Sequence, residues 1–68
     1  MVSEKYLKIR NKVLILVEKE EPVSTGLVAK RMNVNWATAQ RSLYELQNDG
    51  KIKGKNVSGR NIWFIPRE

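Results

Sequence analysis

The sequence predicts an α+β fold: three helices followed by a two-stranded β-hairpin. Two observations carry that expectation. Apolar residues recur at helical spacing in three capped segments up to Gly50, and the pattern then changes to period two. With 68 residues the chain is sized for one small domain, residues 1–68, whose core must be compact.

The first helix is expected over about residues 3–20. Ser3 is its N-cap and Glu4 sits favourably in the first turn. Tyr6, Leu7, Ile9, Val13, Leu14, Leu16 and Val17 share one broad arc. Ile15 points the other way, either as an incidental surface residue or as part of a dimer seam. Glu18, Glu20 and Glu21 form a charge run before Pro22, which reads as a solvated face, not an acid–base pair. Pro22 stops the helix, and Val23 follows as a very short extended segment.

Ser24 caps a second helix over about 25–32, with Leu27, Val28 and Met32 at helical spacing. Gly26 weakens its propensity slightly. Asn33-Val34 is a tight turn, because Asn tolerates the left-handed conformation that ends helices. Asn35 caps a third helix over about 36–49. There Ala39, Leu43 and Leu46 form one face with Trp36 beside them, and Gly50 follows the last turn. The hairpin occupies about 51–65. Lys51-Ile52-Lys53 alternates, Asn56-Val57-Ser58-Gly59 is turn chemistry, and Asn61 to Ile65 is a β-type run ended by Pro66. Alternation puts Ile62 and Phe64 on one side and Trp63 and Ile65 on the other. Such aromatics either close a small core or stack on bases.

The composition excludes several functions. There is no cysteine and no histidine, so disulfides, Cys/His zinc sites and nucleophile–imidazole pairs are ruled out. Gly54 and Gly59 read as isolated turn residues, not a phosphate loop, and neither an enzyme nor a cofactor is expected. The net charge of +6 favours a polyanion, nucleic acid before an anionic membrane, although such a charge also serves plain solubility. The N-terminal stretch is too charged for a signal peptide, and the longest apolar run, Val13 to Val17, is far too short to span a membrane. A cytoplasmic protein is expected, nucleoid-associated in a prokaryotic or viral setting.

A short helix, a tight turn and a second capped helix make a helix-turn-helix, and a hairpin with Lys51, Lys53, Lys55 and Arg60 and no acid follows directly. From Ser24 to Ile52 the chain reads SxxLVAKRMNVNWATAQRSLYELQNDGKI in outline, and NVSGRNIWFI closes the hairpin. In these segments it resembles winged helix-turn-helix proteins, the MarR-like and ArsR-like transcription regulators and small archaeal, plasmid and viral relatives. Arg41, Leu43, Leu46, Gly50 and Ile52 match the family pattern. The resemblance implies double-stranded DNA as partner and a homodimer. The chain lacks the extra helices with which larger regulators sense ligands, so no small-molecule ligand is expected. Trp36 departs from the pattern, which more often has a small or polar residue there. It is expected either at the core edge or against the DNA backbone.

The polar face of the third helix supplies the candidate site: Asn35, Trp36, Ala37, Thr38, Gln40, Arg41 and Tyr44. Arg41 can pair with guanine O6 and N7, Gln40 with adenine N6 and N7, and Thr38 with a thymine methyl or a phosphate. Asn35 and the helix start can face a phosphate. Tyr44 either bonds phosphate or covers the core edge. In the hairpin, Lys53, Lys55 and Arg60 are placed for phosphates or a minor groove, with Asn56 and Ser58 adding neutral hydrogen bonds at the tip. Lys30 and Arg31 are backbone contacts or plain surface charges. The expected function is sequence-specific binding of double-stranded DNA, as a transcription regulator. A non-specific architectural DNA binder and a winged-helix protein-interaction module are the alternatives.

Overall fold

The structure is a computed structural model that describes residues 4–67. Its elements are α1 (Glu4–Glu20), β1 (Val23–Ser24), α2 (Thr25–Met32), α3 (Trp36–Asn48), β2 (Lys53–Val57) and β3 (Arg60–Phe64). The expected Ser3 cap lies outside the described residues. No helix among them is long and apolar enough to cross a membrane.

The helix ends follow the capping chemistry of the sequence. Ser24 Oγ accepts the Leu27 amide at 3.1 Å, and Asn35 Oδ1 accepts the Thr38 amide at 2.7 Å. Asn33 closes α2 in the left-handed region at φ 55, which frees the Val34 amide to reach the Ala29 carbonyl. Gly50 does the same after α3 at φ 77, and the Lys51 amide returns to the Leu46 carbonyl. The helix itself ends at Asn48, one residue before the expected boundary.

The hairpin differs from expectation in two respects. Its turn is only Ser58 and Gly59, both at positive φ, a pair that matches the twist of the flanking strands. Asn56 and Val57 therefore belong to β2. Also, β1 joins as a third strand, pairing Val23 with Trp63 and Ser24 with Ile62 in the antiparallel order β1-β3-β2. Val23 is fully buried, so this edge segment contributes to the core as well as to the sheet.

The core gathers one stripe from each layer: Val13 and Val17 of α1, Val28 and Ala29 of α2, Ala39, Leu43 and Leu46 of α3, then Ile52 and Trp63. Trp63 points inward with Ile65 packed beside it, which decides between the two roles open to the strand aromatics. It belongs to the core and is not free to stack on a base. Gly54 is its cross-strand partner, and a Cβ there would come within 2.6 Å of Trp63 Cζ3. Gly54 is thus the position that lets the indole lie across β2, not a turn residue. Ile15 is about half exposed on α1.

Candidate nucleic-acid interface

α3 lies with one flank against the hairpin and the other against α1. The core takes Ala39, Ser42, Leu43 and Leu46, and helical spacing leaves Ala37, Arg41, Tyr44 and Asn48 outward. Tyr44 is 50% exposed, and its ring meets Trp63 edge-on with centroids 5.6 Å apart and planes at 84°. Trp63 is fixed in turn. Its Nε1–H donates to Thr25 Oγ1 at 2.9 Å, and Thr25 Oγ1 donates to Gln40 Oε1 at 2.7 Å. One hydroxyl from the start of α2 therefore ties β3 to α3 beneath the outer face. Tyr44 is a surface ring on a buried, hydrogen-bonded support.

The same relay corrects the expectation for Gln40. Its side chain is only 9% exposed and its amide oxygen accepts a hydrogen bond from Thr25, which places it beneath the outer face of α3 instead of on it. Arg41 is exposed but held on the α1 side. Its Nε donates to Glu45 Oε2 at 3.2 Å, and its guanidinium lies 4.8 Å from the centre of the Tyr6 ring. Arg10 donates to the other oxygen of Glu45 at 3.2 Å. Burial pushes the Glu45 carboxyl up, but hydrogen bonds from Arg41, Tyr6 and Arg10 outweigh it and hold its pKa below the ordinary value.

Trp36, left open between core and DNA backbone, is 56% exposed. It lines an open cleft of about 440 Å³ with Ser24, Gly26, Gly59 and Arg60, where the starts of α2 and α3 meet the hairpin turn. Thr38 lies on the α1 flank, half-buried. Asn35 spends its side-chain oxygen on the cap. In the hairpin, Lys53, Lys55, Ser58 and Arg60 are exposed. Asn56 is exposed too, but its amide nitrogen donates to Asn61 Oδ1 at 3.2 Å and its oxygen accepts the Gly59 amide at 3.3 Å. It braces the turn instead of reaching outward from the tip.

The cations divide by type. Arg10, Arg31, Arg41 and Arg67 are ion-paired to carboxylates, whereas Arg60 and the lysines form no ion pair among the described residues. Arg31, considered as a backbone contact, is bound to Glu20. Three free lysines form a group that sequence reasoning passed over: Lys5, Lys8 and Lys12 line a groove with Asn35 and Thr38. Their three-and-four spacing was the available signal. Thr25 and Gly54 were missed for another reason. Each matters through Trp63, a partner far along the chain from Thr25 and on the opposite strand from Gly54, which spacing along the chain does not reveal.

No protein-family model and no curated protein sequence matches the chain. Solved structures do. The Zα domain of Carassius auratus PKZ, in complex with Z-DNA, superposes with a TM-score of 0.83 at 17% identity, covering 93% of this chain and 100% of that one. The Zα domain of Cyprinid herpesvirus 3 ORF112, whose binding mode to Z-DNA has been determined, gives 0.77 at 18% identity over 97% and 100%. Lactococcus lactis ZitR, a zinc-responsive MarR family member, gives 0.75 at 16% identity, covering 98% of this chain but 45% of its own. These likenesses establish a winged helix-turn-helix fold.

Proposed function

We propose that this chain binds double-stranded DNA through the outer face of α3 and the basic hairpin, and that it reads the shape of the duplex more than its base sequence, with left-handed Z-DNA the favoured form. The observation that carries this reading is the Tyr44–Trp63 pair, a half-exposed ring on a locked support at the centre of the face. Two groups suited to hydrogen-bonded base readout are engaged within the chain. Gln40 is buried on Thr25, and Arg41 is engaged by Glu45 and Tyr6. The centre of the outer face holds the Tyr44 ring, a small residue at Ala37 and the exposed indole of Trp36, with unpaired cations in the hairpin beside them. Such a surface fits by contact and charge, which report backbone geometry and not a donor–acceptor code. The two Zα domains matched over their whole length, both studied with Z-DNA, support the same choice. The reading gives no residue a catalytic role.

Sequence-specific regulation of transcription is the second reading. It is favoured by the position of Arg41, 65% exposed at its side chain and able to reach a guanine if it leaves Glu45. Circular dichroism separates the two. Added to an alternating dG-dC duplex at low salt, the protein is expected to invert the near-ultraviolet spectrum, and Tyr44→Ala is expected to abolish the inversion while remaining folded. An unchanged spectrum, together with an enriched palindrome from random duplexes, would replace this reading with a dimeric sequence-specific regulator. Binding with neither inversion nor enrichment would leave an architectural DNA binder. No binding at physiological salt would leave a protein-interaction module.

A further inference from the structure

The hairpin supplies cations on one flank of α3 only. On the other flank lies the groove between α1 and the turn joining α2 to α3. Lys5, Lys8 and Lys12, at spacings of three and four, stand along its α1 wall. Asn35 and Thr38, at the first turn of α3, form the facing wall, and Val34 contributes to an apolar floor. No acidic residue lines the groove, and the three lysines have no ion-pair partner among the described residues. The acids of α1 are Glu4 at one end and Glu18 and Glu20 at the other, and Glu20 is occupied by Arg31.

We infer that this groove holds a second stretch of nucleic-acid phosphate backbone, on the side of α3 opposite the hairpin. The inference rests on the DNA-binding reading and extends it from a one-sided to a two-sided interface. Any duplex carries phosphates along both of its strands, and cations on both flanks of a helix can each meet a stretch of them. Here both flanks of α3 carry unpaired cations: Lys55 and Arg60 beside Tyr44 and Trp36, and Lys5, Lys8 and Lys12 beyond Thr38. The groove is continuous with the proposed interface through Asn35 and Thr38. Long lysine stems can lie on its apolar floor while the ammonium groups meet phosphate. A polyanionic backbone is the occupant this chemistry suits. An acidic peptide would need hydrogen-bonding partners along its main chain, and the groove offers an apolar floor in their place.

The test pairs two triple variants: Lys5→Ala/Lys8→Ala/Lys12→Ala, and Lys53→Ala/Lys55→Ala/Arg60→Ala. All six side chains are exposed, so both proteins are expected to fold. Duplex affinity is measured against salt concentration, and amide shifts are mapped on the wild type during titration with the same duplex. The α1 variant is expected to flatten the slope of log affinity against log salt by about 2.7, the share of three phosphates, and residues 5–12 are expected to shift together with α3 and the hairpin. If the hairpin variant loses affinity while the α1 variant keeps the wild-type slope and residues 5–12 stay still, the inference is overturned and the DNA-binding reading stands. If the wild type shows neither binding nor shifts, both are overturned.

Discussion

Thr25 carries two buried hydrogen bonds on one oxygen, accepting from Trp63 and donating to Gln40. Valine has nearly the same shape and no hydroxyl. Thr25→Val therefore leaves a buried indole N–H and a buried amide oxygen without partners, each costing about 1–3 kcal/mol. A chain of this length is stable by roughly 3–10 kcal/mol in total, so the loss is large. Urea denaturation is expected to show a lower midpoint with the slope unchanged, corresponding to a loss of about 2–4 kcal/mol, and Thr25→Ser is expected to recover most of it. Gly54→Ala acts on the same support from below. The added methyl meets the indole at a distance no carbon tolerates, so Trp63 has to move. Tyr44 rests on Trp63, and so Gly54→Ala is expected to weaken DNA binding as well as the fold, although residue 54 is itself no DNA contact. Titration of the variant with duplex, at a temperature where it remains folded, reads this directly. Unchanged affinity would separate the Tyr44 ring from its support and remove the relay from the binding argument.

At the scale of elements, most of the fold was legible because the signals are local. Ser24, Asn35 and Gly50 act at their own helix ends, and Asn33 takes the left-handed turn expected of it. That last position gives a discriminating pair of substitutions. Asn33→Gly keeps the left-handed conformation at little steric cost, whereas Asn33→Val places a branched side chain where φ is 55. The first is expected to leave the melting temperature within a few degrees. The second is expected to lower stability by about 1–2 kcal/mol, measured by the same urea titration. What was not legible depended on pairing between elements. The two-residue span of β1 exists as a strand because β3 lies beside it, and nothing in Val23-Ser24 alone specifies that neighbour. Gln40 stands on the polar side of the helical pattern, yet β3 and α2 close over it. The proposed face keeps to α3 and the hairpin, the elements that the sequence pattern singles out, while the individual contacts of Gln40, Arg41 and Asn56 are decided by partners on neighbouring elements or strands, or, for Arg41, one turn along the same helix.

Across the whole molecule the charges are sorted into two duties. Carboxylate–arginine pairs join elements: Arg10 links α1 to α3, Arg31 links α2 to the end of α1, and Arg67 links the C-terminal segment to Glu21. Lysines are left for the surface, with Lys5, Lys8 and Lys12 on one flank of α3 and Lys55 on the other. Stability and binding should therefore respond to different conditions. Two carboxylates report on the first duty. The Arg67 guanidinium, followed by the Ile65 amide, holds the Glu21 pKa below its ordinary value, and Glu45 is also lowered, its hydrogen bonds outweighing burial. A carboxylate with a folded pKa below the unfolded one adds stability at pH above the unfolded value, roughly 4.3 for glutamate, and loses it as pH falls through the folded value. The melting temperature is expected to be nearly level from neutral pH down to about 5 and to fall below that. Arg67→Ala removes the partner of Glu21 and is expected to lower the melting temperature at neutral pH and to make the acid-side fall shallower, because less of the stability then depends on an ionised carboxylate. Thermal melts of both proteins across pH 2 to 8 would measure this. Parallel curves displaced by a constant amount would mean that Arg67 stabilises through packing of its stem, and that the ion pair at the end of α1 adds nothing.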